Sequence, residues 1–194
     1  EFRPHDDALQ LDAATLRNLE ILESRGENTR AGSLLGVLDR TSTAMGARLL
    51  RSWLLRPLCD HDGIVARADA VEAFLSDPLT LEELRETAGG IRDLERITGR
   101  LNIGSATPRD LQGLSFSLGH LPAIKQLVSG FDVPLLAEHL GRVGDFSPVT
   151  SRVDAAIADN PPVNLADGGV IRPGFSPELD ELRNAAAEGK GWLS

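Results

Sequence analysis

Four times along this chain a Ser, Thr or Asp is followed directly by proline: Asp77-Pro78, Thr107-Pro108, Ser147-Pro148 and Ser176-Pro177. The pairing is a helix start. The Ser, Thr or Asp side chain can accept a backbone N–H that the first turn leaves unpaired. Proline tolerates the first helical position because the N–H it lacks would be unsatisfied there. After each start comes an apolar stripe with helical spacing, and composition agrees. The 194 residues include 31 Leu and no Tyr. Leu and Ala favour helices, whereas the β-branched and aromatic residues that build strands are scarcer. The expectation is an all-α multi-helix bundle of about eight or more helices.

The stripes place these helices along the chain. Asp12 starts a first helix with Leu16 and Leu19 inward, and Ser33 caps a short one carrying Leu34, Leu35 and Leu38. Met45, Leu49, Leu50, Trp53 and Leu54 share a stripe that Pro57 ends, so Trp53 is expected to be a buried packing residue. Ile64, Ala68, Val71 and Leu75 are spaced 4, 3 and 4, which predicts an inward face. The next helix, from Pro78, stops at Gly89-Gly90. Ile91, Leu94, Ile97 and Leu101 make another stripe, then Leu111, Leu114, Leu118 and Leu121. Pro122 inside that last pattern predicts a kink or a break. Val149, Val153 and Ile157, and finally Leu179 and Leu182, complete the series. One segment departs from it. Val163-Asn164-Leu165 and Val170-Ile171-Arg172 flank Ala166-Asp167-Gly168-Gly169, and an Asp-Gly pair between such runs predicts a short β-hairpin near 163–172.

Charge and cysteine narrow the function classes. Lys and Arg total 20 against 29 Asp and Glu, a formal charge of −9. Surfaces that track nucleic-acid phosphates are normally basic, so the chain as a whole has the wrong sign. Arg48, Arg51 and Arg56 are the one tight basic cluster and read as a solvated helix face. Cys59 is the single cysteine, which rules out an internal disulfide and reads as a buried, inert thiol in a reducing compartment. No apolar run approaches the ~20 residues that cross a bilayer. The chain reads as cytoplasmic, with no membrane partner.

No catalytic set is visible in the sequence. His5, His61, His120 and His139 are far apart, with none in a His-x-x-x-His pair. Glu82-Glu83 and Asp180-Glu181 are adjacent, so on a helix they point about 100° apart and read as solvated faces. Catalytic, cofactor-binding and metal-binding residues are therefore all expected to be none.

Five stretches, in order, resemble the core or lever domain of the MutS family of DNA mismatch-recognition ATPases. They are Leu11–Ile21, Thr43–Pro57, Asp93–Ile97, Thr107–Leu111 and Asp167–Ile171. The likeness covers roughly residues 9 to 193, leaving 1–10 as a linker or chain edge and 11–194 as the helical domain, its last helix cut at Trp192-Leu193-Ser194. The resemblance implies a parent ATPase that is a homodimer, binds mismatched duplex DNA, takes ATP and Mg in another domain, and recruits downstream mismatch-repair proteins. This segment would connect the remaining domains of the same chain, without catalysis. The family's own ATP and mismatch residues find no match here. Gly189-Lys190 lacks a glycine five residues before it, so there is no P-loop, and none of the six Phe residues has Glu two positions later. A stand-alone helical protein-interaction adaptor, an uncharacterised enzyme, and a paralogue acting in recombination are the alternatives.

Overall fold

A computed structural model describes residues 8–26, 29–162 and 165–192. Its helices are α1 (Ala13–Asn18), α2 (Leu34–Leu38), α3 (Ala44–Leu55), α4 (His61–Ser76), α5 (Pro78–Gly89), α6 (Leu94–Asn102), α7 (Pro108–Gly119), α8 (Leu121–Ser129), α9 (Pro134–Gly141), α10 (Ser147–Ala156) and α11 (Pro177–Trp192). The all-α expectation holds. Two units emerge, and each is built from two pieces of chain: Glu1–Asp93 with His120–Gly144, and Leu94–Gly119 with Asp145–Ser194.

In the first unit, α4 packs on α5, α5 on α8, α8 on α9 and α9 on α4, which closes a four-helix ring. Ala70, Val128 and Val133 are buried within it. Phe74 and Phe131 meet edge to face, with centroids 4.9 Å apart and planes at 69°, the arrangement aromatic quadrupoles favour. Capping follows the sequence at Asp77 and Asp12 but not at Ser147, where Phe146 takes the cap position without a side-chain bond and the Ser147 N–H donates to Asp145 at 2.8 Å. The Asp77 carboxylate accepts the Thr80 N–H at 3.1 Å, and Asp12 accepts that of Thr15 at 2.6 Å. Pro122 does break the helix: α7 ends at Gly119 and α8 begins at Leu121. Ser33, fully buried, accepts the Gly36 N–H at 3.1 Å and starts α2, whose first two N–H groups donate to the Glu20 and Ile21 carbonyls. Glu20 holds a positive φ of 52° to present that edge.

Three inward faces are corrected here. The expected α4 stripe of Ile64, Val71 and Leu75 faces outward, and Gly63, Ala66, Ala70, Ala73 and Phe74 make the face that packs. Small residues win because they let neighbouring helices approach closely, and interaxial distance depends on the side chains at the contact. Trp53 is 41% exposed rather than buried, and Leu49 is exposed with it. Leu50, Leu54 and Leu55 carry the inner side of α3 instead. Leu19 likewise points outward, just past the end of α1.

In the second unit, α7 packs on both α6 and α10. The buried positions of α7 are Pro108, Ser115 and Ser117, while its leucines are half-buried. Each hydroxyl is satisfied: Ser115 donates to the Asp154 carboxylate at 2.7 Å and Ser117 to the Gly113 carbonyl at 2.6 Å. Leu182, expected inward on α11, is exposed. The hairpin is also corrected. Ile171 pairs antiparallel with Ile157, framed by Ala158 N–H to Val170 O at 2.9 Å and Arg172 N–H to Ala156 O at 2.8 Å. Leu165–Asp167 is a 3₁₀ turn, and Val163 and Asn164 of the expected first arm lie outside the described residues. The Asp-Gly signal calls for positive φ at Asp167 and Gly168, but it is Gly168 and Gly169 that take it, and they lead Ile171 to the end of α10.

Candidate functional site

The motifs that carry chemistry-bearing side chains are joined by arginine forks. Arg48, on α3, sets both terminal nitrogens against Asp93, Nη1 to Oδ2 at 2.8 Å and Nη2 to Oδ1 at 2.7 Å. Planar guanidinium and planar carboxylate match in this two-bond geometry, which fixes orientation as well as distance. Asp93 sits just ahead of α6, so the fork pins the approach to that helix against α3 inside the first unit.

The second unit repeats the device. Arg100, in the last turn of α6, places Nε on Asp110 Oδ2 at 3.0 Å and Nη2 on Oδ1 at 2.5 Å. The same Oδ2 accepts the Thr107 N–H at 2.9 Å and its hydroxyl at 3.0 Å, closing a box at the start of α7. The Arg100 guanidinium first, and then the Thr107 donors, hold the Asp110 carboxyl at about 2, down from 3.8. It stays ionised at any physiological pH.

The Asp167–Ile171 stretch supplies a third junction, also within the second unit. Arg183 on α11 donates to the Ile171 carbonyl at 2.8 Å and pairs with Asp180 at 3.0 Å, while Asp180 accepts the Gly174 N–H at 2.6 Å. Gln112 on α7 donates to the Ala158 and Asp159 carbonyls at 2.8 and 2.9 Å. The loop is therefore gripped from α7 and from α11.

These positions are where sequence reasoning ran short. Arg48, read as part of a solvated face, is an ion-pair partner, whereas Arg51 and Arg56 are exposed. Asp180 is likewise drawn into the loop junction, while Glu181, Glu82 and Glu83 stay exposed. Cys59 is exposed, not buried. His61 is exposed and sits 3.6 Å from Asp62, and His5 lies outside the described residues. Among the described residues no group of three His, Cys, Asp or Glu is placed to hold a metal, and no helix is long and apolar enough to cross a membrane. A signal for the forks was present: each arginine and each aspartate falls in or beside a resemblance motif, but spacing does not say which pairs with which.

Short helices with forked ion pairs between them define an all-helical domain. Its sequence matches the family model described as MutS domain III over residues 14–190, and the chain belongs to that family. It is 45% identical over 188 residues to the DNA mismatch repair protein MutS of Symbiobacterium thermophilum. With the MutS proteins of Halothermothrix orenii and Brevibacillus brevis it is 43% and 41% identical. Each alignment covers 96–97% of this chain but only 21–22% of the relative, so the chain spans about a fifth of the length of the curated relatives it matches.

Proposed function

We propose that this chain is the lever segment of a longer MutS-type mismatch-repair protein, a connector between the domain that binds nucleotide and the arm that clamps DNA. The carrying observation is the pair of forks, Arg48–Asp93 and Arg100–Asp110, which lie within the residues that the family model matches. A connector has to move as a body rather than deform, because packed elements shift between discrete arrangements and do not stretch. Each two-bond pair supplies that stiffness within its own unit. The parent is a cytoplasmic, homodimeric ATPase that holds ATP and Mg in another domain, engages mismatched duplex DNA through other domains and recruits downstream repair proteins. This segment contributes no catalytic, cofactor or metal residue. The relatives named above are mismatch-repair proteins, which supports that role over recombination.

The test is coupling in the full parent. Asp93→Asn should leave basal ATP turnover within about twofold, yet reduce the change in nucleotide exchange that mismatched DNA produces by about 5–20-fold, the loss of roughly 1–2 kcal/mol of coupling. Stopped-flow release of a fluorescent ADP, with and without a G·T duplex, reads it. Unchanged mismatch response would remove the connector reading.

A further inference from the structure

Two Asp-Gly pairs occur in the chain, Asp62-Gly63 and Asp167-Gly168. Such a pair carries a chemistry of its own, because glycine has no Cβ to keep its amide nitrogen away from the aspartate side chain. That nitrogen can attack Cγ of the carboxylic acid form. An N–Cγ bond forms, the Cγ–OH bond breaks, and the hydroxyl leaves with the amide proton as water. The five-membered succinimide then takes up water. Opening at Cγ restores aspartate. Opening at the main-chain carbonyl leaves isoaspartate, whose main chain runs through Cγ and is one carbon longer. Attack requires the backbone to turn about the aspartate Cα–C bond, out of the helical range, until the next nitrogen faces Cγ.

Exposure does not separate the two pairs. The Asp62 side chain is fully exposed, and Asp167, Gly168 and Gly169 are exposed as well. Backbone does separate them. Asp62 lies in the first turn of the 16-residue α4, and the Gly63 N–H, the attacking group, donates to Asp60 Oδ2 at 2.8 Å. A Cβ at Gly63 would stand 2.9 Å from the Leu58 side chain, so this peptide is walled in. Turning it means unwinding the start of a helix. Asp167 instead ends a three-residue 3₁₀ turn, where the Gly168 N–H donates to the Leu165 carbonyl at 3.3 Å, a long and weak bond. Beyond it Gly168 and Gly169 hold φ of 70° and 71°, with nothing within 4 Å of where a Cβ would stand. They can absorb a rotation at Asp167 without moving a packed side chain.

We propose that Asp167 is a site of isoaspartate formation in the folded chain and that Asp62 is not. The modification has a structural consequence. Val170–Arg172 keeps its register on the end of α10 through Ala158 N–H to Val170 O at 2.9 Å and Arg172 N–H to Ala156 O at 2.8 Å. An extra main-chain carbon just ahead of this segment displaces that register and loosens the loop.

The test stores the native 194-residue chain at neutral pH and raised temperature, then assigns isoaspartate by electron-transfer fragmentation of its peptides. Isoaspartate should build up at least about tenfold faster at Asp167 than at Asp62, because opening one exposed turn costs less than unwinding a helix. In urea sufficient to unfold the chain, the two rates should converge. Asp167→Glu, which keeps the charge but cannot close the five-membered ring, should abolish the signal there and leave the urea midpoint unchanged. In the isolated modified fraction, the Ala158 and Arg172 amides should exchange hydrogen at least about tenfold faster. Absence of isoaspartate at Asp167, or equal build-up at both pairs in the folded chain, would overturn the proposal. So would a preference for Asp167 that survives in urea, since it would belong to the neighbouring residues and not to the fold. Unchanged exchange at Ala158 and Arg172 would strike out the loosened loop.

Discussion

Gly36 is held by a contact with no room for a side chain. A Cβ there would sit 2.1 Å from the Arg30 carbonyl oxygen, which also accepts the Ser33 N–H and hydroxyl at 3.2 and 2.7 Å. Gly36→Ala must push apart the turn that starts α2, and roughly 2–3 kcal/mol of stability should be lost, the upper range for overpacking. A urea titration of the 194-residue chain measures it. Trp53 makes the opposite case. Its ring is only partly covered and leans on Arg67, so Trp53→Ala should cost about 1–2 kcal/mol, less than the ~3–5 of a fully buried aromatic. Asp110 carries a pH signature. Its carboxyl ionises at about 2 in the fold against 3.8 ordinarily, so it binds fewer protons folded than unfolded between those values. Its stabilisation is complete above pH 3.8 and is lost as pH falls through that window towards 2. Asp110→Asn should be less stable than the parent chain at pH 7, by about 1–2 kcal/mol for a partly exposed charged hydrogen bond. The gap should close as the urea midpoint is tracked down to pH 2.

Between elements, each fork ties a helix to a neighbouring segment of its own unit. Arg48 is half-covered and Asp93 more so, at 39% and 19% side-chain exposure, so their attraction is only partly screened. A double-mutant cycle with Arg48→Met and Asp93→Asn should return a coupling of about 1–2 kcal/mol, above the value for exposed pairs. Additive single effects would show that the fork adds no stability beyond packing. At the other end of the chain, Gly169 holds φ of +71° with open space around it, so only backbone conformation resists a side chain. Gly169→Ala should cost roughly 1–2 kcal/mol and shift the Ile157–Ile171 pairing. Calorimetry reads the first effect and amide chemical shifts of residues 156–158 the second.

For the whole molecule, absence of machinery makes a sharp expectation. The 194-residue chain should neither turn over ATP above a buffer blank nor retard a G·T duplex in preference to its paired control at low salt. No phosphate cradle is present in its sequence, and a charge of −9 opposes phosphate contact. Preferential retardation, or turnover, would contradict the assignment of this segment as a connector.

Helix starts, helix stops and the all-α class were legible in the sequence because they are local. A cap, a proline and a 3.6-residue period act within one turn, so Asp77, Thr107, Ser33 and Pro122 behave as their neighbours dictate. The family signal was legible for the same reason, as ordered short motifs. Facing was not. Helix α4 carries two apolar stripes, and only the packing of α5 and α9 decided that the small one turns inward. Pairing was not legible either: Arg48 reaches a residue 45 positions away, and Val170–Arg172 finds the end of α10. Periodicity fixes the angle of a side chain around its own helix. Which side of that helix meets another, and which charge meets which, is set by contacts between distant segments, and those exist only once the chain has folded.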